Sequence, residues 1–262
     1  MKVFLFFLTV NLISNDSIIL QSTTSTKNSG FYDYILPQFQ AITGITVNVV
    51  AVGTGAAIRN AKNCDGDVLI AHSPLMEGEL VSSGYSKLRY EFMFNDYVII
   101  GPSLDSAKIK GLKNPITAIK KIYKTKSTFL SRGDSSGTHI KEKTLWKKVG
   151  INPRKYSGKW YLETGTSMGA TINTAIGLGA YTLTDRATWI NYGNKQDFII
   201  LVAGDNSLHN PYGIMAINND KCPNTKLKNS LIFVKWLMSR KGQKLIASYK
   251  INGEQLFFPI FK

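Results

Sequence analysis

Along the chain, short apolar runs alternate with stretches whose apolar residues recur every three or four positions, the pattern of strands followed by amphipathic helices. Ile18, Ile19 and Leu20 read as a buried strand, closed by the hydroxyl cluster from Ser22 to Thr26. A helix is predicted over 29–42, because Phe31, Tyr34, Ile35, Phe39 and Ile42 share one face and Gly44 supplies the stop; Pro37 should kink its middle. A strand over 45–52 runs into Gly53-Thr54-Gly55 and a short helix, and then come a strand over 67–71 and a helix over 74–84. Strand, helix, strand in this order implies parallel pairing with helices on the sheet faces.

The helical period fails between Tyr90 and Gly101, where two extended segments, 91–94 and 97–100, read as a crossover. Strand and helix units then resume, with helices predicted over 115–124, 137–149 and 168–178 and strands over 128–131, 160–163 and 180–183. A second extended passage, 198–202 and then 212–217, brings the chain back. The tail over 227–238 is amphipathic, with Leu227, Leu231, Val234 and Met238 on one stripe. The expected fold class is therefore α/β, with two lobes joined by two extended hinges and a ligand cleft between them. Residues 17–96 open the first lobe, 97–210 make the second, and 211–262 return to the first. Ahead of them, Met1, Lys2 and the apolar run from Val3 to Ile13 read as a secretory leader over 1–16. That run is too short to span a bilayer as a helix, and it is followed by neither a small-x-small pair nor a lipobox cysteine.

Composition narrows the classes. Of 262 residues, 44% are apolar and 19% charged, with 22 glycines against 8 prolines, which excludes a disordered, collagenous or coiled-coil chain. Lysine and arginine total 32 against 17 acids, a formal charge of +15, so anionic partners are indicated: nucleic acid, anionic lipid or a small oxyanion. Nucleic acid is the weakest of these, since lysines such as Lys120, Lys121, Lys124, Lys141, Lys143 and Lys147 are spread over helices without a recognised motif. Cys64 and Cys222 do not make a disulfide framework. His72, His139 and His209 are too scattered for a metal site, and no cofactor is expected.

In parallel α/β sheets ligands bind beyond the carboxyl ends of strands, where helix N-termini present free N–H groups. Four loops in such places are rich in hydroxyls and glycine: Ser22 to Thr26, Gly53-Thr54-Gly55, Ser131 to Thr138, and Thr166 to Thr171; a fifth, Thr184-Asp185-Arg186, caps a strand. Any one of them is explained by helix capping. Their repetition in both expected lobes, with Arg132 inside one, describes an anion cradle, although Arg132 also has a structural alternative as an ion-pair partner of Asp134 or Asp185.

Ser22-Thr23-Thr24-Ser25-Thr26, Ala51-Val52-Gly53-Thr54-Gly55, Ser131-Arg132-Gly133-Asp134, Ser136-Gly137-Thr138-His139, Met168-Gly169-Ala170-Thr171, Ala180-Tyr181-Thr182-Leu183-Thr184-Asp185-Arg186, Asn210-Pro211-Tyr212-Gly213 and Gln255-Leu256-Phe257-Phe258-Pro259 together closely resemble the tungstate-binding proteins of ABC transporters. The resemblance runs in order from Ile18 to Pro259. It departs at Ser22, at Ser135 in place of an acid, and at Ser167 and Ala187 in place of glycine. It implies a type II periplasmic-binding-protein fold, no catalytic activity, a tetrahedral oxyanion as ligand and a membrane permease as partner. A monomer, periplasmic or extracellular and associated with the membrane through the transporter, is expected. The resemblance carries ligand contacts onto the threonine tract, the Val-Gly-Thr-Gly loop and Arg132.

Tungstate is a deprotonated dianion whose four oxygens only accept hydrogen bonds, so a suitable site consists of donors. Thr24, Ser25 and Thr54 from one lobe would meet Ser136, Thr138 and the N–H groups at Gly137, Met168 and Gly169 from the other, with Arg132 as the one full positive charge. Molybdate or sulfate remain alternatives, because cavity radius is not readable. Phosphate is another, because Arg132-x-Asp134-x-Ser136-Gly137-Thr138 also resembles the loop of phosphate-binding proteins and Asp134 could accept the proton of monohydrogen phosphate. Gly133-Asp134-Ser135-Ser136-Gly137 formally fits a nucleophile elbow followed by Asp185 and His209, but no His-Gly-Gly oxyanion motif precedes it, so a serine hydrolase is the weaker reading.

Overall fold

The computed structural model describes residues 16–260, so the leader read over 1–16 lies, except for Asp16, outside the described residues. Twelve strands and ten α-helices are described: β1 (Ser17–Thr23), α1 (Thr24–Asn28), α2 (Phe31–Thr43), β2 (Thr46–Val52), α3 (Thr54–Lys62), β3 (Val68–Ala71), α4 (Pro74–Ser82), β4 (Tyr90–Pro102), α5 (Pro115–Thr125), β5 (Phe129–Ser131), α6 (Gly137–Lys148), β6 (Tyr161–Glu163), α7 (Met168–Leu178), β7 (Tyr181–Asp185), α8 (Arg186–Asn191), β8 (Phe198–Val202), β9 (His209–Ala216), α9 (Leu227–Met238), α10 (Arg240–Ser248), β10 (Lys250–Ile251), β11 (Glu254–Gln255) and β12 (Phe258–Pro259).

This is the α/β architecture expected. One mixed sheet runs β2-β1-β3-β9-β4-β7-β5-β6, with β8 and β12 also paired to β4. Its two ends are parallel, β1 with β2 and β3 on one side and β5 with β6 and β7 on the other. The middle is antiparallel, because β9 and β4 run back across it.

The inner strands are covered on both faces, which is why β3 reads as an unbroken apolar run, whereas the edge strand β2 has no buried residue. On β3, Val68 and Ile70 face a core with Phe31, Ile35, Phe39, Phe233 and Leu237, while Leu69 and Ala71 face Ala57, Ile58 and Leu80 on the other side. The same alternation on β4 sends Ile99 toward Phe129, Leu145 and Trp146, and Val98 and Ile100 toward Leu130, Ile172 and Trp189. Each such fully buried side chain contributes about 1.5–3 kcal/mol.

Several elements differ from the sequence expectation, each for a physical reason. The hydroxyl cluster does not simply close β1: the strand runs through Thr23, whose Oγ1 accepts the Thr26 N–H at 3.4 Å and starts α1. Helix α2 continues through Pro37, which lies on its exposed face, and Ile42 at its end is exposed rather than on the buried stripe. The two extended segments of the crossover are one strand, β4, because Asn95 is buried and bonded to Asn210, and Asp96 to Arg186. On α9 the buried face is Ser230, Phe233, Val234 and Leu237, rotated from the predicted stripe, and Leu231 is exposed. Finally, Cys64 and Cys222 are joined in a disulfide across 158 residues. It ties the turn after α3 to the segment after β9; fold topology rather than local spacing brings these two segments together.

Candidate functional site

Four hydroxyl-rich loops converge where the two halves of the sheet meet, each at the carboxyl end of a strand. The Ser131–Thr138 loop links β5 to α6. Gly133 holds a left-handed conformation there (φ 64°), and a Cβ on it would lie 2.9 Å from Glu163 Cβ, so only glycine fits. The turn points Arg132 inward, leaving it 8% exposed. Its Nη2 donates to Asp134 Oδ2, which realises the ion pair foreseen as a structural role. Its Nε is buried and has no hydrogen-bond partner among the described residues.

The rest of that loop is internally satisfied. Asp134 Oδ1 accepts from both the N–H and the hydroxyl of Ser136, at 3.1 and 2.6 Å, and Ser136 Oγ accepts from His139 N at 3.2 Å as the cap of α6. Ser136, expected to turn its hydroxyl to the ligand, thus gives it to Asp134. Both carboxylate oxygens of Asp134 thus accept within the loop, Oδ2 once and Oδ1 twice, and the side chain stays a quarter exposed. Below the loop, Ser131 Oγ accepts the Gly133 N–H at 3.2 Å and donates to the buried Glu142 at 2.6 Å.

Capping leaves specific N–H groups over. In α6 the His139 and Ile140 amides are bonded to Ser136, which leaves those of Gly137 and Thr138 without an intrahelical partner. In α7 Ser167 takes Ala170 and Thr171, leaving Met168 and Gly169. In α3 the N-cap is Gly53, without a capping side chain, and the first bonded amide is Ala57. The side chains of Thr24, Thr54 and Thr138 have no hydrogen-bond partner among the described residues, although Thr54 and Thr138 are buried.

The loops meet in pairs. Thr24 and Ser25 line a cavity of about 110 Å³ with Ser167, Met168, Gly169 and Thr188. Arg132, Thr54, Ser136, Gly137 and Thr138 do not line it. The first turn of α3 instead faces the Arg132 loop, where a Cβ on Gly55 would lie 3.6 Å from Ser135 Cβ. Bridging the pairs is His72, just after β3, which the sequence reading left out. Its Nε2 lies 3.2 Å from Ser25 Oγ, and Gly137 packs so closely on it that a Cβ there would lie 3.1 Å from its Nδ1. Burial pushes the His72 pKa down, against the opposing charge of Asp185 and the hydrogen bond to Asn210 Oδ1, while Arg132 adds to the lowering. Nothing in the sequence marks a histidine at a strand end as part of the site.

Other polar clusters offer less. A wider cavity of about 430 Å³ is lined by Asp96, Arg186, Asp205, His209 and Glu254, but Arg186 is neutralised by two 2.6 Å bonds to Asp96. The elbow arrangement does not assemble: Asp185 caps α8 through Thr188, and His209 pairs with Glu91 at 3.6 Å.

The model of the PBP superfamily domain matches residues 13–241. The chain is 42% identical over 247 residues to the tungstate-binding protein TupA of Peptoclostridium acidaminophilum, covering 93% of this chain and 85% of that relative. Among solved structures, the tungstate-binding protein TupA from Desulfovibrio alaskensis G20 aligns with a TM-score of 0.83 at 41% identity, over 93% of this chain and 98% of that one. The tungstate ABC transporter structure from Geobacter sulfurreducens aligns with a TM-score of 0.82 at 39% identity, over 89% and 98%.

Proposed function

The chain belongs to the PBP (periplasmic-binding-protein) superfamily and, within it, to the tungstate-binding proteins of ABC transporters, and from that premise we propose that it is an extracytoplasmic solute-binding protein that captures tungstate, or the closely similar molybdate, and delivers it to a transporter permease. The observation that carries the reading is the buried guanidinium of Arg132, anchored on one side by Asp134 and left with an unpartnered Nε on the other. The reading adds to it the helix N-termini of α6 and α7 and the threonine hydroxyls that have no partner among the described residues, groups able to donate to a deprotonated tetrahedral dianion.

In this reading Thr24, Ser25 and Thr54 bind from residues 17–96, which pack with 211–262 as one lobe. Arg132, Thr138 and the N–H groups of Gly137, Met168 and Gly169 bind from the lobe 97–210. Ser136 contributes by holding Asp134 in place rather than by touching the ligand. Closure of the lobes removes the dianion from water, which strengthens each hydrogen bond to it, and presents a closed surface to the permease. The protein acts as a monomer and performs no covalent chemistry. Among the described residues no helix is long and apolar enough to cross a membrane; in this reading the permease is the partner at the membrane.

Phosphate is the rival ligand, because Asp134 Oδ2 accepts one bond only and could also take the proton of monohydrogen phosphate; the match to tungstate-binding relatives favours tungstate over it. A thermal-shift comparison of tungstate, molybdate, sulfate and phosphate at equal concentration tests the assignment. Tungstate and molybdate should raise the melting temperature most, since a ligand at a hundredfold excess over its Kd stabilises by about 2.7 kcal/mol. A larger rise with phosphate, or none with tungstate, would overturn it.

A further inference from the structure

The three histidines sit in different settings. His209 lies on the surface beside Glu91, and His139 is paired with Glu142 under the Arg132 loop. His72 is buried where both halves meet: Nε2 is 3.2 Å from Ser25 Oγ, Nδ1 is 3.1 Å from the Asn210 amide and 3.3 Å from the Tyr97 hydroxyl, and the ring stacks on Tyr212 with centroids 4.8 Å apart. The Asn210 amide lies 2.6 Å from that of Asn95, which reaches the Tyr212 hydroxyl at 3.5 Å. A continuous chain of polar contacts thus runs from Tyr212, which is buried, to Ser25, which is half-buried.

The charged groups that act on the ring are Asp185 and Arg132, of opposite sign, and burial holds it neutral, so it has one proton to place. With that proton on Nδ1, the ring donates to Asn210 Oδ1 and Nε2 becomes an acceptor. The Ser25 hydroxyl must then donate into the ring, and it presents only lone pairs to an anion. With the proton on Nε2, the ring donates to Ser25 and the serine proton is free. Asn210 then turns its NH2 toward Nδ1 and its oxygen toward Asn95, whose own oxygen takes the Tyr212 hydroxyl. Exchanging N and O in both amides leaves the heavy-atom positions unchanged. Thr23 Oγ1, 3.1 Å from Ser25 Oγ, offers the serine proton another acceptor, but a neutral one, weaker than an anion.

We propose that His72 is a positioning residue for oxyanion capture: in the bound protein it is protonated on Nε2, so that a chain of donors from Tyr212 through Asn95, Asn210 and the imidazole ends in the Ser25 hydroxyl turned to the ligand. The proposal rests on tungstate as ligand and on Ser25 as one of its donors. Because Gly137, at the start of α6 in the opposite wall, packs on the same ring, His72 also links Ser25 to closure.

Nitrogen-15 NMR of histidine-labelled wild-type protein with and without sodium tungstate reads the tautomer directly, with the His72 signals identified by their absence from His72→Gln. The expected result is protonated Nε2 and bare Nδ1 in the tungstate-bound protein; a proton on Nδ1 there overturns the proposal. Two variants separate positioning from packing, since a Gln amide nitrogen can take the place of Nε2 and an Asn amide that of Nδ1. His72→Gln should keep tungstate affinity within about threefold, whereas His72→Asn should lose about tenfold or more, the loss expected for an unmet buried donor. Equal losses in the two, or none in either, would mean that the ring only fills space. If tungstate does not shift the melting temperature of the wild type, it is the ligand assignment that fails; binding with Nδ1 protonated sinks only the role of His72.

Discussion

The two walls of the cleft are built from the same residue types and prepared very differently. In the Ser131–Thr138 loop the side chains around the arginine are tied to one another: Asp134 holds Arg132 and Ser136, Ser136 caps α6, and Ser131 is tied to Gly133 and Glu142, while the Thr138 hydroxyl has no partner among the described residues. Opposite it, Thr24 and Thr54 have hydroxyls with no partner among the described residues, and α3 begins at a glycine without a side-chain cap. One wall is preorganised and presents a charge at a fixed place. The other offers neutral donors whose hydrogen bonds form only when the ligand arrives. If the proposed function holds, a dianion would dock on the arginine wall first and then draw the hydroxyl wall onto itself, which would give closure a driving force absent from the empty protein.

This contrast predicts a ranking of losses. Arg132→Gln removes the charge of the prepared wall and leaves Asp134 without its cation; uncompensated buried charge costs roughly 3–5 kcal/mol, so tungstate affinity by titration calorimetry should fall a hundredfold or more. A near wild-type Kd would show that the two walls share the charge differently from this account. Thr54→Val takes a single neutral donor from the bare wall. A hydrogen bond to a charged group contributes about 1.5–3 kcal/mol, so a ten- to hundredfold loss is expected, with the melting temperature of the ligand-free protein unchanged because that hydroxyl has no partner to lose. Gly137→Ala leaves every donor in place and pushes the walls apart: its Cβ would meet the His72 ring and carbonyl at 3.1–3.2 Å. Overpacking costs about 1–3 kcal/mol, and at the low end of that range affinity should drop about fivefold through faster release, measurable by stopped-flow. A loss as large as that of Arg132→Gln would place closure, not charge, at the centre of binding.

The sequence made the parallel ends of the sheet legible, since strands covered on both faces are continuous apolar runs and the helices between them carry their own stop signals. It was least legible where polar residues are buried for tertiary reasons. Asn95 and Asp96 look like a break in β4 until Asn210 and Arg186 are brought beside them. Helix α10 begins with Arg240 and Lys241, and its clearest local mark is Ser239, which accepts the Gly242 N–H at 3.2 Å. At the site, glycine and hydroxyl composition pointed to the loops, and a short motif to the arginine. It could not reveal which hydroxyls serve as caps, because Ser136 and Thr138 differ only in what their neighbours offer them. His72 lay hidden for the same reason: its partners Ser25, Tyr97 and Asn210 come from distant parts of the chain.

The Cys64–Cys222 bridge, with a sequence separation of 158, encloses all of the chain from β3 through β9, including the whole arginine wall. Topologically that stretch is a closed ring with two tails. A single peptide-bond break anywhere inside it would free no fragment, so a nicked molecule keeps both halves of its cleft until a reductant opens the ring.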